Sequence, residues 1–121
     1  MIIYTTYFAN LKNLPANIIP VSISQVVPAG YKGLVYKQLA PPTSILNAYK
    51  KTHDENTYIM KYTELVLNQL NQFKVIQDLE KLTKGAAEVA LVCYEKPEDF
   101  CHRHIAARWL RKAGIDIKEF A

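Results

Sequence analysis

Cys93, Glu95, Cys101, His102, Arg103 and His104 fall within one short stretch, VALVCYEKPEDFCHRHIAARWLR, residues 89–111. Their types define what the stretch could do. A thiol next to an imidazole offers a nucleophile with its base. A carboxylate supplies an acid or an orienting group. A guanidinium offers a forked donor that fits phosphate or carboxylate. Cys101 is therefore the candidate nucleophile, His102 its base, Glu95 the orienter or acid and Arg103 the anion clamp. A thiol at a helix start beside Arg or His has a lowered pKa, which favours Cys101 over Cys93.

Each residue also has a plainer reading. Cys93 sits in an apolar run and reads as core filling. His102 can be a core histidine bonded to a backbone carbonyl. Arg103 can pair with Glu95 or Glu98. A phosphatase pattern, in which a phosphate-cradling loop separates Cys from Arg, is absent, because Cys101 and Arg103 are two residues apart. Zinc structural sites want pairs such as Cys-x2-Cys, and adjacent Cys101 and His102 diverge on a helix. No metal and no cofactor are expected.

Those side chains must be placed by a strand and a helix. Val89–Tyr94 is short, β-branched and nearly uncharged, which predicts a strand buried on both faces of a parallel sheet. Glu95–Asp99 is a polar turn with a proline and acids, a helix-start signal. The helix that follows has Arg111 and Lys112 near its end and Gly114 as its stop. Its spacing puts His102, Ile105, Ala106, Trp109 and Ala113 on the inward stripe, with Arg103 at the stripe's edge and His104 in solvent. Ligands in open α/β sheets bind beyond the carboxyl ends of the strands, where a helix N-terminus adds free N–H groups.

Elsewhere, Met1–Phe8 and Ile18–Ser24 read as strands, the second with Pro20 early in it, which suits a strand start or an edge. If Ile18–Ser24 runs parallel to Val89–Tyr94, then Ser22 and Ser24 overlie the Cys101 pocket as candidate phosphate ligands. Leu34–Leu39 is extended and Pro41-Pro42 stops it. Ser44 caps a helix to about Lys51. Thr52–Glu55 has the form of a capping box opening a helix over about 54–70. Tyr58 and Tyr62 lie on one face of that helix, as core or with hydroxyls at the pocket rim. Phe73–Leu82 is a further helix, and Ile115–Ile117 a last strand. The alternation predicts α/β: one three-layer domain over residues 1–121, with a mostly parallel sheet of four to five strands and helices on both faces.

The run LVCYEKPEDFCHRHIAARWL resembles the hallmark of the family catalogued as domain of unknown function 488. That family has a Cys-x-Glu segment followed by Cys-His-Arg at a helix start. Cys93, Glu95, Cys101, His102 and Arg103 match it, and Leu39-Ala40-Pro41 with Tyr58 and Tyr62 fits its shorter members. The resemblance covers about residues 1–120 and implies a fold and a site rather than an activity. Many members carry Asp-x-Arg at the end of an early strand, where this chain has Ser22-Ile23-Ser24.

Composition bounds the partners. The 121 residues are 50% hydrophobic with a net charge of +4. Mean hydropathy is −0.08 and the pI about 9.0. The balance suits a soluble globular protein that tolerates an anionic partner without demanding nucleic acid. No apolar run approaches the ~20 residues of a membrane span. The start has no basic segment before its apolar residues, so no signal peptide is expected. Two cysteines without one imply reduced thiols and a cytoplasmic location. The sequence sets no oligomeric state. The leading functional expectation is binding of a phosphate-bearing ligand, a nucleotide or a nucleic-acid end, at junction 93–103. The alternatives are a cysteine-dependent enzyme using Cys101, and a non-catalytic interaction protein.

Overall fold

Five strands form one all-parallel sheet in a computed structural model that describes residues 1–121. The strands are β1 (Ile2–Tyr7), β2 (Ile18–Ser22), β3 (Leu34–Val35), β4 (Glu88–Cys93) and β5 (Ile117–Glu119), in the order β3-β2-β4-β1-β5. The α-helices are α1 (Thr43–Thr52), α2 (Glu55–Leu65), α3 (Gln72–Leu82) and α4 (His102–Arg111). The strand that carries the reactive stretch, β4, is central, paired with β1 on one side and β2 on the other. Its run of Val, Ala and Leu is uncharged because both faces are covered.

The two faces are covered unequally. Val89 and Leu91 join Ile3 and Val21 in the larger core, which takes Ile45, Tyr62, Leu79 and Leu110 from the four α-helices. Ala90 and Val92 join Ile18 in a smaller core. There the cover is Phe8, Leu11 and Leu14, from and just after a 3-10 helix over Phe8–Asn13. Pro20 pairs with Ala90 in register, while β3 meets β2 only at Val21 and Ser22. Pro20 thus has no partner strand on its β3 side, and there its missing N–H leaves no gap in a ladder.

Local signals shifted where a different cap won. Asp54, not Thr52, caps α2, accepting from the Thr57 N–H at 3.1 Å. Helix α1 starts after Pro42 with no side-chain cap, so Ser44 lies inside it. Asn71 caps α3 through Phe73 and Lys74. The segment expected to continue α2 turns into a 3-10 helix at Leu67–Gln69.

Candidate functional site

Helix α4 presents a different face from the one its spacing suggested. His102, Arg103, Ala106, Ala107 and Leu110 are its buried residues. Ile105 and Trp109 are only partly buried against the larger core. The rotation brings Arg103 from the stripe's edge to its centre, and the reason lies on β5. Glu119 accepts from Arg103 Nε at 3.2 Å and Nη2 at 2.8 Å. Nη1 donates to the Glu95 carbonyl at 2.5 Å and to Cys93 Sγ at 3.0 Å. The guanidinium is fully buried and held by a forked ion pair. Neither Glu95 nor Glu98 supplies the carboxylate, and the side chain is enclosed rather than offered to an external anion.

The cysteines also differ from expectation. Cys93 and Cys101 are paired in a disulfide, so no free thiol remains. The expectation of two reduced thiols, with Cys101 the more reactive, gives way to a pair in which both residues are buried. The sequence hid this because eight residues separate them. Only the turn between β4 and α4 folds Cys101 back over the end of the strand. Arg103 meets Cys93, not Cys101.

His102 points inward as expected. Its Nε2 lies 2.6 Å from the Ile23 carbonyl oxygen, and its Nδ1 lies 3.9 Å from Cys101 Sγ. A carbonyl can only accept, so Nε2 carries the proton and Nδ1 presents a lone pair to the sulfurs. Burial is the main cause that lowers the His102 pKa to about 4, with Arg103 and His104 adding repulsion against the Ile23 bond. The imidazole is neutral at pH 7. His104 is half-buried rather than solvated, and burial lowers its pKa too.

Beyond the end of β4 lies a cavity of about 350 Å³. Cys101, His102, Glu95 and Ser24 line it, with Tyr49, Tyr58, Tyr94 and Phe100 as rings and Lys50 as the cation. Tyr49 stacks on Phe100 at 5.0 Å between centroids, and Tyr58 meets Phe100 edge-on at 4.9 Å. Tyr49, Tyr94 and Lys50 were not singled out in the sequence. Aromatic residues scattered along a chain give no sign of convergence until it folds.

The two serines separate. Ser22 Oγ accepts from the Ser24 N–H at 3.2 Å and takes no part in the cavity lining. Ser24 lines the cavity, and its buried Oγ has no hydrogen-bond partner. The two tyrosines separate as well. Tyr58 lines the cavity, whereas Tyr62 is fully buried, donates to the Leu39 carbonyl at 2.6 Å and packs edge-on against His102. Tyr62→Phe is expected to cost about 1–3 kcal/mol, because it strands a buried carbonyl. Urea unfolding of the variant would measure this, and ligand affinity at the cavity should stay at the parent level.

The family model described as the active DUF488-N3 subclade matches residues 10–114. The chain belongs to the DUF488 family. The match spans β2 through α4, and so takes in both sides of the β4–α4 junction. No curated protein and no solved structure matches the chain. No helix is long and apolar enough to cross a membrane.

Proposed function

We propose that this DUF488 domain binds a nucleotide or a nucleotide-like nucleic-acid end in the cavity beyond β4. One observation carries the reading: Ser24, whose buried hydroxyl has no partner, lines a cavity walled by aromatic rings. A buried hydroxyl without a partner is costly, and a ligand oxygen would satisfy it. Bases stack on Tyr and Phe faces without needing a particular sequence. Tyr49, Tyr58, Tyr94 and Phe100 supply those faces. Cys101 occupies the α4 N-cap without a side-chain cap bond, and while the His104 N–H donates to the Cys101 carbonyl, the N–H groups of His102 and Arg103 are left for an anion.

The phosphate end falls to Ser24, Lys50 and that helix start. Arg103 acts behind the site, holding β5 and the Glu95 backbone in place. Glu95 accepts from a ribose hydroxyl or a base amino group. Cys101 and His102 form the floor.

Calorimetric titration with the four ribonucleoside 5′-monophosphates and with inorganic phosphate tests the reading. At least one nucleotide should bind, and bind tighter than phosphate alone. Tyr58→Leu should weaken it by about 1–3 kcal/mol, the worth of one stacked base. Ser24→Ala should weaken it by about 1 kcal/mol, one hydrogen bond. Failure of every nucleotide to bind, or affinity unmoved by both substitutions, would defeat the proposal.

A further inference from the structure

We propose that the reduced protein holds a zinc-class divalent cation between Cys93 Sγ, Cys101 Sγ and His102 Nδ1. Three observations converge on it. The ligand atoms of these three buried residues all lie within 4.8 Å of one another. The imidazole is already set as a ligand. Its Nε2–H is tied to the Ile23 carbonyl at 2.6 Å, so the lone pair of Nδ1 faces the sulfurs. A metal-bound histidine is almost always oriented in this way, by donating its other N–H to a carbonyl or carboxylate. The third observation is the backbone spacing. The Cys93 and Cys101 Cα atoms stand 7.6 Å apart. Disulfides usually span about 4.4–6.8 Å. A cation bonded to each sulfur at about 2.3 Å spreads them further than a direct bond does, and suits the wider frame.

Charge and donor type select the metal. Two thiolates balance a divalent cation, and the Arg103–Glu119 pair beside them is itself neutral. Arg103 Nη1, 3.0 Å from Cys93 Sγ, favours the thiolate form. Two sulfurs and an imidazole suit zinc rather than magnesium or calcium, which take oxygen. Three protein ligands leave a fourth position. Cys101 and His102 both line the cavity, so that position opens into it. Glu95 Oε2, 3.8 Å from Cys93 Sγ, stands at its edge.

Forming the site is balanced chemistry. A water-soluble phosphine reduces the disulfide, becoming its oxide with oxygen from water, and two thiols result. Binding of M²⁺ then forms two metal–sulfur bonds and releases two protons. The inference is independent of nucleotide binding, because its test reads the metal alone.

The test uses the full chain, reduced anaerobically with phosphine, stripped with a chelator, desalted and titrated with Co²⁺. Expected are one equivalent bound, sulfur-to-cobalt charge-transfer absorption in the near ultraviolet, and tetrahedral d–d bands that Zn²⁺ abolishes. Cys101→Ser should lower the charge-transfer intensity by about half, one of two sulfurs being lost. Should that variant fail to fold by circular dichroism, the parent decides alone. Co²⁺ must then release two protons and protect both thiols from alkylation. Absence of charge-transfer bands in the reduced parent would overturn the site. So would the same bands in the unreduced protein, or undiminished bands in folded Cys101→Ser.

Discussion

Arg103→Ala is expected to cost about 3–5 kcal/mol of folding stability, a large share of the ~5–15 kcal/mol that a domain commands. The guanidinium is fully buried, and its forked partner Glu119 is largely shielded. Removing Arg103 leaves a carboxylate next to Thr5 and β5 without its counter-charge, and frees the Glu95 carbonyl and the start of α4. The last strand depends on this pair, since β5 is only three residues long. Arg103→Lys keeps the charge but cannot reach both Glu119 oxygens and the Glu95 carbonyl together. It should cost about 1–3 kcal/mol, one or two unsatisfied buried groups. The enclosed guanidinium puts the cost of this conservative change on folding. Urea unfolding of the two variants, of Glu119→Gln and of Arg103→Ala with Glu119→Gln settles the matter. The double variant should lose less than the sum of its parts, because no unpaired charge remains. Additive losses, or an Arg103→Ala protein within about 1 kcal/mol of its parent, would show that the pair is open in solution.

The second large effect is one of pH. In the disulfide-paired protein, which offers no thiolate to a metal, acidification from pH 7 to 4 should remove roughly 3 kcal/mol through His102. The unfolded imidazole takes its proton near 6.5, the folded one only at about 4. Between those values the unfolded chain holds a proton that the folded chain refuses. The contribution is therefore fully present above about pH 6.5 and is lost as pH falls through that window. His104, also lowered by burial, adds in the same direction. Urea unfolding of the parent at pH 7 and 4.5, beside His102→Gln, isolates the effect. The glutamine amide can still donate to the Ile23 carbonyl but does not titrate. A parent whose stability is flat across this range, or as steep in the variant, would show that His102 is solvated.

The sequence by itself determined the strand β4, the helix behind it and the α/β class. Each rests on local periodicity: an uncharged β-branched run, a polar turn with a proline, and an amphipathic helix with its cations late. His102 was legible as inward-facing for the same reason. It also determined the family, because Cys93, Glu95, Cys101, His102 and Arg103 stand at a characteristic spacing. The phase of α4 was not legible. At 100° per residue Arg103 lies between inside and outside, and the choice fell to Glu119, which follows sixteen residues later on a strand beyond β1. The pairing of Cys93 with Cys101 was decided by the path of one turn. Which serine and which tyrosine face the cavity was decided by packing: Ser22 and Tyr62 found backbone partners, and Ser24 and Tyr58 were left lining the cavity. Spacing sets what a residue can reach along its own element. Only the tertiary structure decides which distant partner claims it first.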